Sequence, residues 1–313
     1  MTRKNLFYQT VLGVGLGGFL LYFAVIKLYV NGQDDNTDLL LNTNTSEQKS
    51  DYFDAVVEQK KPLYLARFVK AAAENAKLRN SIQWVFGGKR QVGWSIYIPL
   101  IGQTILTESP ADSPEFAFAV SGWQEESGLA PTGIIDLQTF EAFIKIWQSQ
   151  RLHRSNYPTP EELLSVPVSE FYDPSREPEL LKVERRTYSA YKRMLQAAAK
   201  DASLGLNVTK DDELAMDEKF MRIISAFRSR EYQQQLRRRQ PNAGRGQLAK
   251  NSPHFTGHAL DIYVGGDPVS TNDANRAVQV QTPAYRWLVK NARSFGFYPY
   301  FYEPWHWEFV PVK

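Results

Sequence analysis

Two strings decide the reading of this chain: Ser252-Pro253-His254-Phe255-Thr256-Gly257-His258-Ala259-Leu260-Asp261, and Glu303-Pro304-Trp305-His306-Trp307-Glu308. From Ala259 to Val264 apolar residues alternate, which predicts a strand with Leu260, Ile262 and Val264 on one face. Ala259, Asp261 and Tyr263 then share the other face, so a strand that buries its aliphatic side presents Asp261 to a cleft. His254 precedes a bend at Gly257 that can fold the chain back beside this strand. Trp305 to Val310 also reads as a strand, with His306, Glu308 and Val310 opposite the aromatic residues. Two imidazoles and one carboxylate are then available on two strands and the loop that enters one of them.

Neutral imidazole and carboxylate are ordinary zinc ligands, and three protein ligands leave a fourth tetrahedral position for water. Zinc lowers the pKa of such a water to roughly 7, which makes a nucleophile at neutral pH. A general base must reach that water without ligating the metal. Glu303, three residues before His306 and held by the Pro304 bend, is the natural candidate. The search for ligands is short, because the chain has four histidines (His153, His254, His258 and His306) and no cysteine. That composition excludes thiolate zinc, disulfides and a cysteine nucleophile. His153 reads as structural. His258, four residues after His254, invites a helical His-x-x-x-His site, but Gly257 and the following alternation disfavour a helix there, so it is assigned a role behind the ligands or at the surface. Glu308 either orients His306 or is an exposed strand glutamate, and Trp305 and Trp307 read as core.

The pattern Ser-x-His-x-x-Gly-x-Ala-x-Asp followed by Glu-x-x-His-Trp resembles the paired motifs of the VanY-type D-alanyl-D-alanine carboxypeptidases. Their wider group includes D-Ala-D-Ala dipeptidases, phage endolysin peptidases and the zinc-binding signalling domain of hedgehog. The resemblance spans Met194 to Val310 and implies that His254, Asp261 and His306 bind zinc while Glu303 is the catalytic base. Ser225-Ala226-Phe227-Arg228-Ser229 with Gln233 is similar to the family's Ser-Gly-Tyr-Arg-Ser-x-x-x-Gln segment. By that match Arg228 polarises the scissile carbonyl, and Gln233 and Ser252 help to hold substrate. Ala226 stands where the family usually has glycine, a departure that removes no reactive group.

Upstream, Arg3 and Lys4 precede an apolar stretch from Val11 to Val30 interrupted by Lys27. Its length suits a spanning helix of about 20 residues, and the basic flank keeps the N-terminus cytoplasmic and exports the rest. Residues 1–30 are thus expected to be a single-pass signal-anchor in the bacterial cytoplasmic membrane; a cleaved signal peptide is the alternative, disfavoured because no small-x-small site follows at Lys27–Gln33. Residues 31–50, polar and rich in Asn, Asp, Thr and Ser, read as a flexible tether. Residues 51–157 are expected to be mostly helical, with helix over much of 51–84 and a short strand or loop over 94–105. Within them 116–147 resembles the small helical peptidoglycan-binding domain of wall hydrolases, with Gln124, Gly128, Leu129, Gly133 and Thr139 at the matching places. Residues 158–178 form a proline-rich linker, with a capping box at Thr159–Glu162 starting a short helix. One long amphipathic helix is predicted from Arg176 to Lys200, inside a catalytic domain of residues 179–313.

The apolar fraction of 43% and charged fraction of 23% place the exported part among globular chains. A net charge of +3 argues neither for nor against a nucleic-acid partner, but no basic or aromatic-interleaved stripe surrounds the motifs, which argues against one; Arg237–Arg239 reads as a solvated helix face. The fold expected is α+β: a small antiparallel sheet carrying a zinc site, flanked by helices and preceded by a helical region and the membrane helix. The activity expected is zinc-dependent hydrolysis of peptidoglycan stem peptides, removing a terminal D-Ala. An endopeptidase of the same fold, or a non-catalytic zinc-containing wall-binding protein, is the competing reading.

Overall fold

The computed structural model describes residues 65–152, 157–211, 213–239 and 252–311. The predicted anchor at 1–30, the tether at 31–50 and His153 lie outside the described residues. Among those described, no helix is long and apolar enough to cross a membrane. They divide into two compact units, one of residues 65–83 and 92–140, the other of 84–91 and 141–311. The elements in chain order are α1 (Val69–Leu78), β1 (Gln83–Phe86), β2 (Lys89–Val92), α2 (Ile98–Thr104), α3 (Pro114–Glu126), α4 (Leu137–Ser149), β3 (Leu163–Ser165), β4 (Lys182–Glu184), α5 (Arg185–Ala199), β5 (Ile223–Ser225), α6 (Arg230–Arg239), β6 (Ala259–Ile262), α7 (Asp273–Gln279), α8 (Pro283–Asn291), β7 (Phe297–Pro299) and β8 (His306–Phe309).

The first unit is helical. Ser113 caps α3 by accepting the Phe116 N–H, with Pro114 in the first turn. Ala71 and Ala72 of α1 pack on Ala117 of α3, joined by Phe68 and Ile134; small residues at the crossing let the helix backbones approach closely. The turn between α3 and α4 is held by two buried amides. Gln124 accepts from the Gly133 N–H at 2.8 Å and donates to the Ile134 carbonyl at 3.0 Å and the Thr139 hydroxyl at 2.9 Å. Asn75 donates to the Gly133 carbonyl and accepts from the Ile135 N–H, each at 2.8 Å. A Cβ on Gly133, at φ +72°, would lie 2.6 Å from the Ala117 carbonyl oxygen, so only glycine fits there. Three of the wall-binding-like positions, Gln124, Gly133 and Thr139, are therefore accounted for by the fold of the turn itself. The strand or loop expected at 94–105 is instead a 3-10 turn at Ser95–Tyr97 running into α2: Leu100 and Ile101, at helical spacing from Tyr97 and Ile105, bury one face.

The second unit is α+β. Its main sheet has the order β5-β6-β8-β7, with every neighbouring pair antiparallel. Leu260, Ile262, Trp307 and Phe297 are fully buried or nearly so, and Tyr285 of α8 packs on Trp307 with ring centroids 6.3 Å apart. Trp305 is buried as expected. Helix α5 buries Ala190, Tyr191, Met194 and Leu195, and the Tyr191 hydroxyl donates to the Met221 carbonyl at 2.9 Å.

Of the helix expected over 51–84, residues 51–64 lie outside the described residues, and the rest ends at Leu78, with a strand beginning at Gln83; two further boundaries also differ from expectation. The helix expected from Arg176 begins only at Arg185, because Lys182–Glu184 pairs with Leu163–Ser165 in a two-stranded sheet and the Glu184 carboxylate caps α5 at the Thr187 N–H. The expected linker 158–178 is accordingly part of the folded unit, since β3 lies within it and buried Phe171 bridges to Ile223. The capping contact at Thr159 is present, its N–H donating to Glu162 at 2.8 Å, but it starts a single 3-10 turn.

Candidate metal centre

Sheet register builds the site. Asp261 on β6 stands opposite His306 on β8 and opposite Ser225 on β5, so three polar side chains form a row across one face. Ala259 stands opposite Glu308 in the neighbouring row, on the same face because strand side chains alternate. His254 enters from a 3-10 turn, Pro253–Thr256, whose N-cap is Ser252 and whose C-cap is Gly257 at φ +70°. A Cβ at Gly257 would lie 2.8 Å from the Glu184 side chain, so the bend needs glycine for its backbone and for its neighbour.

These elements bring His254, Asp261 and His306 together, all buried, with one possible ligand atom from each lying within 4.8 Å of the others. His254 Nε2 is 3.2 Å and His306 Nδ1 2.8 Å from the same Asp261 Oδ1. The far nitrogens set the ring orientations. His254 Nδ1 donates to the Ala226 carbonyl at 2.7 Å, which leaves the lone pair on Nε2. His306 Nε2 meets Glu308 Oε1 at 3.2 Å, which turns Nδ1 toward Asp261. Two ring nitrogens and a carboxylate oxygen converging in a buried place are the donor set of a three-ligand zinc site. The group fits that metal.

The electrostatics agree with this fit. Burial, aided by Arg228, pushes His254 down to about 4, so it is neutral as a ligand must be. Burial works to raise Asp261, but His254 and His306 outweigh it and hold the carboxyl well below its usual range. Burial also opposes a charge on His306, yet Asp261 and Glu308 raise it to about 9. The negative field that retains this proton equally suits a divalent cation. Glu303 is raised to about 7, chiefly by burial, which suits a group that must gain and release a proton near neutrality.

Glu303 sits in the loop joining β7 to β8. That loop is closed by its own backbone, with the Glu303 N–H on the Tyr300 carbonyl at 3.1 Å and the His306 N–H on the Glu303 carbonyl at 2.9 Å. Phe86 of the β1–β2 hairpin packs on Phe301 and Tyr302 with centroids 4.8 and 5.0 Å away, and Trp147 of α4 lies 5.9 Å from Phe301. An aromatic cluster thus braces the loop that carries Glu303. Arg228 donates to Asp261 Oδ2 at 3.0 Å and to the Ser225 hydroxyl at 2.9 Å, so its guanidinium lies against the ligand group.

The other expected residues fall as follows. Ser252 is engaged by the His254 N–H at 3.4 Å, a contact that shapes the ligand loop. Gln233 is buried on α6. His258 is outside the three-ligand group and faces Thr187 at 2.9 Å and Glu184 at 3.3 Å. Glu308 is fully buried, which settles its two readings in favour of orienting His306. Ala226, the departure from the family pattern, contributes only its carbonyl and has no positive φ, so no glycine is required there. Sequence reasoning missed Ser225 as a support of Arg228, and it missed Arg151, whose guanidinium pairs with Glu308. The first had a signal in the strand register; the second had none.

Comparison with known families gives one match: residues 180–312 fit the family model VanY, described as D-alanyl-D-alanine carboxypeptidase. No curated protein matches the chain. The stretch 180–312 thus matches the VanY family, in agreement with the motifs around His254 and His306.

Proposed function

We propose that this VanY-type domain is a zinc-dependent peptidase of peptidoglycan stem peptides, and that it removes the terminal residue from a D-Ala-D-Ala end. The observation that carries the reading is the convergence of His254, Asp261 and His306 beside a buried carboxyl, Glu303, whose pKa is raised to about 7. When bound, zinc supplies Lewis acidity, bringing the pKa of a water down to roughly 7.

His254, Asp261 and His306 would hold the ion, with the Ala226 carbonyl and Glu308 keeping both rings aimed. Glu303 accepts a proton from the attacking water as the new C–O bond forms at the scissile carbonyl. It returns that proton to the amine as the C–N bond breaks, so the carboxylate is regenerated each turnover. Arg228 stabilises the charge that develops on the carbonyl oxygen. Its Nε and one Nη2 contact are already committed to Ser225 and Asp261, which pre-orients the guanidinium; Nη1 makes neither contact and is assigned to the oxyanion. A wall-binding protein that had lost catalysis would have little need for both Glu303 and Arg228. The apolar stretch within 1–30 supports an anchored domain outside the cytoplasmic membrane.

The test is incubation of the protein with purified pentapeptide muropeptides, with and without a chelator. Loss of one alanine by mass, abolished by chelation, supports the carboxypeptidase. Cleavage only of cross-linked dimers makes it an endopeptidase instead, and no cleavage of either leaves a wall-binding role.

A further inference from the structure

The matched domain starts at residue 180, yet the deepest support of one metal-ligand candidate comes from before it. Glu308 is fully buried on β8, and both of its oxygens are engaged. Oε1 takes His306 Nε2 at 3.2 Å and Arg151 Nε at 3.0 Å, and Arg151 Nη2 bonds the same oxygen. Oε2 takes the Leu152 N–H at 2.8 Å. Arg151 and Leu152 lie just past the end of α4 and belong to the same compact unit as the sheet.

Arg151 is itself held in place. Its Nη1 donates to Gln148 at 3.1 Å in the last turns of α4, and its guanidinium lies over the Tyr300 ring, 3.9 Å from the centroid. Tyr300 in turn meets the His306 ring edge-on at 5.9 Å. A plain ion pair for stability needs only one such contact. Here the arginine, a backbone N–H and an aromatic ring converge on the carboxylate and imidazole that set one ligand's direction.

We propose that Arg151 is a positioning residue for His306, acting through Glu308, so that the segment ahead of the VanY-type stretch completes the metal centre. A buried carboxylate without its arginine loses two of the contacts that fix its orientation. It is then free to turn, and His306 loses the acceptor that aims Nδ1. Groups that orient a ligand from behind change metal affinity by about 10- to 100-fold when removed.

The inference rests on the metal reading proposed above. Its test measures zinc affinity by chelator competition and the cobalt(II) absorption spectrum of the wild type, R151A, R151K, E308Q and the R151A/E308Q double variant, together with the melting temperature of each without metal. Expected for R151A is zinc binding about tenfold weaker with an altered cobalt spectrum, and partial recovery in R151K. The double variant is expected to bind no more weakly than E308Q, because Arg151 acts through Glu308. Unchanged affinity and spectrum in R151A, with only the metal-free melting temperature lowered, overturns the proposal; so do losses that add in the double variant. Where R151A does not fold, R151Q serves as the neutral variant under the same criteria. A wild type that binds no zinc overturns the metal reading and this inference together, whereas wild-type binding with an unaffected R151A overturns this inference alone.

Discussion

Asp261 and His306 stand directly opposite one another on β6 and β8, with Oδ1 and Nδ1 2.8 Å apart. Antiparallel register alone brings them together, so the two ligand candidates are as rigid as the sheet. Asp261→Asn keeps the shape and removes the charge. Zinc affinity is expected to fall at least tenfold with little change in the far-ultraviolet dichroism. Retention of wild-type affinity in that variant would remove Asp261 from the ligand set.

Glu303→Gln is expected to lower kcat by about 10²- to 10⁴-fold, the usual contribution of a general base, while one zinc per chain stays bound. Metal analysis and muropeptide turnover on the same sample check both halves. If zinc leaves with the activity, Glu303 is a ligand and not the base.

Glu184 gives a pH-dependent term in stability. Burial favours its neutral form, but hydrogen bonds from His258, the Thr187 and Arg186 N–H groups and the Thr187 hydroxyl win and bring the pKa down to about 2 from 4.5. The folded state therefore favours the charged form. Its stabilisation is complete above about pH 4.5 and is lost as pH falls toward 2. Urea denaturation of wild type and Glu184→Gln across that range should show a stability gap that narrows on acidification. A gap that stays constant refutes this linkage.

Gly133→Ala should destabilise the first unit, because both its φ and the nearby Ala117 carbonyl exclude a Cβ. Gln124→Ala should do the same by stranding the Gly133 N–H and the Thr139 hydroxyl. Each loss is expected at about 1–3 kcal/mol, read by thermal or urea unfolding. If these residues instead serve ligand binding alone, both variants unfold like the wild type.

Much of the site was legible because it is local. His254, Gly257 and Asp261 lie within eight positions, and alternation along Ala259–Ile262 and His306–Phe309 tells which side chains share a face. A candidate metal-binding group and a candidate base could be named from residue types at those spacings. The limits of α5 were not legible, since Arg176–Ala199 has helical periodicity throughout. The strand at Lys182–Glu184 exists only because Leu163–Ser165 pairs with it. The same holds for 94–105, where mixed Gly and Pro hid a helix that burial of Leu100 and Ile101 stabilises.

The sequence by itself determined the candidate ligand types and the two strands that carry them, because period-two patterning and short motif spacing record the backbone of a few adjacent residues; the family reading came from the resemblance of the two motifs, which the match at 180–312 supports. Only the tertiary structure decided that Glu308 is buried behind His306, that Arg151 reaches it from 157 positions away, and that Glu303 is removed from water enough to titrate near neutrality. Those are properties of distance and dielectric between remote segments, and no local pattern encodes them.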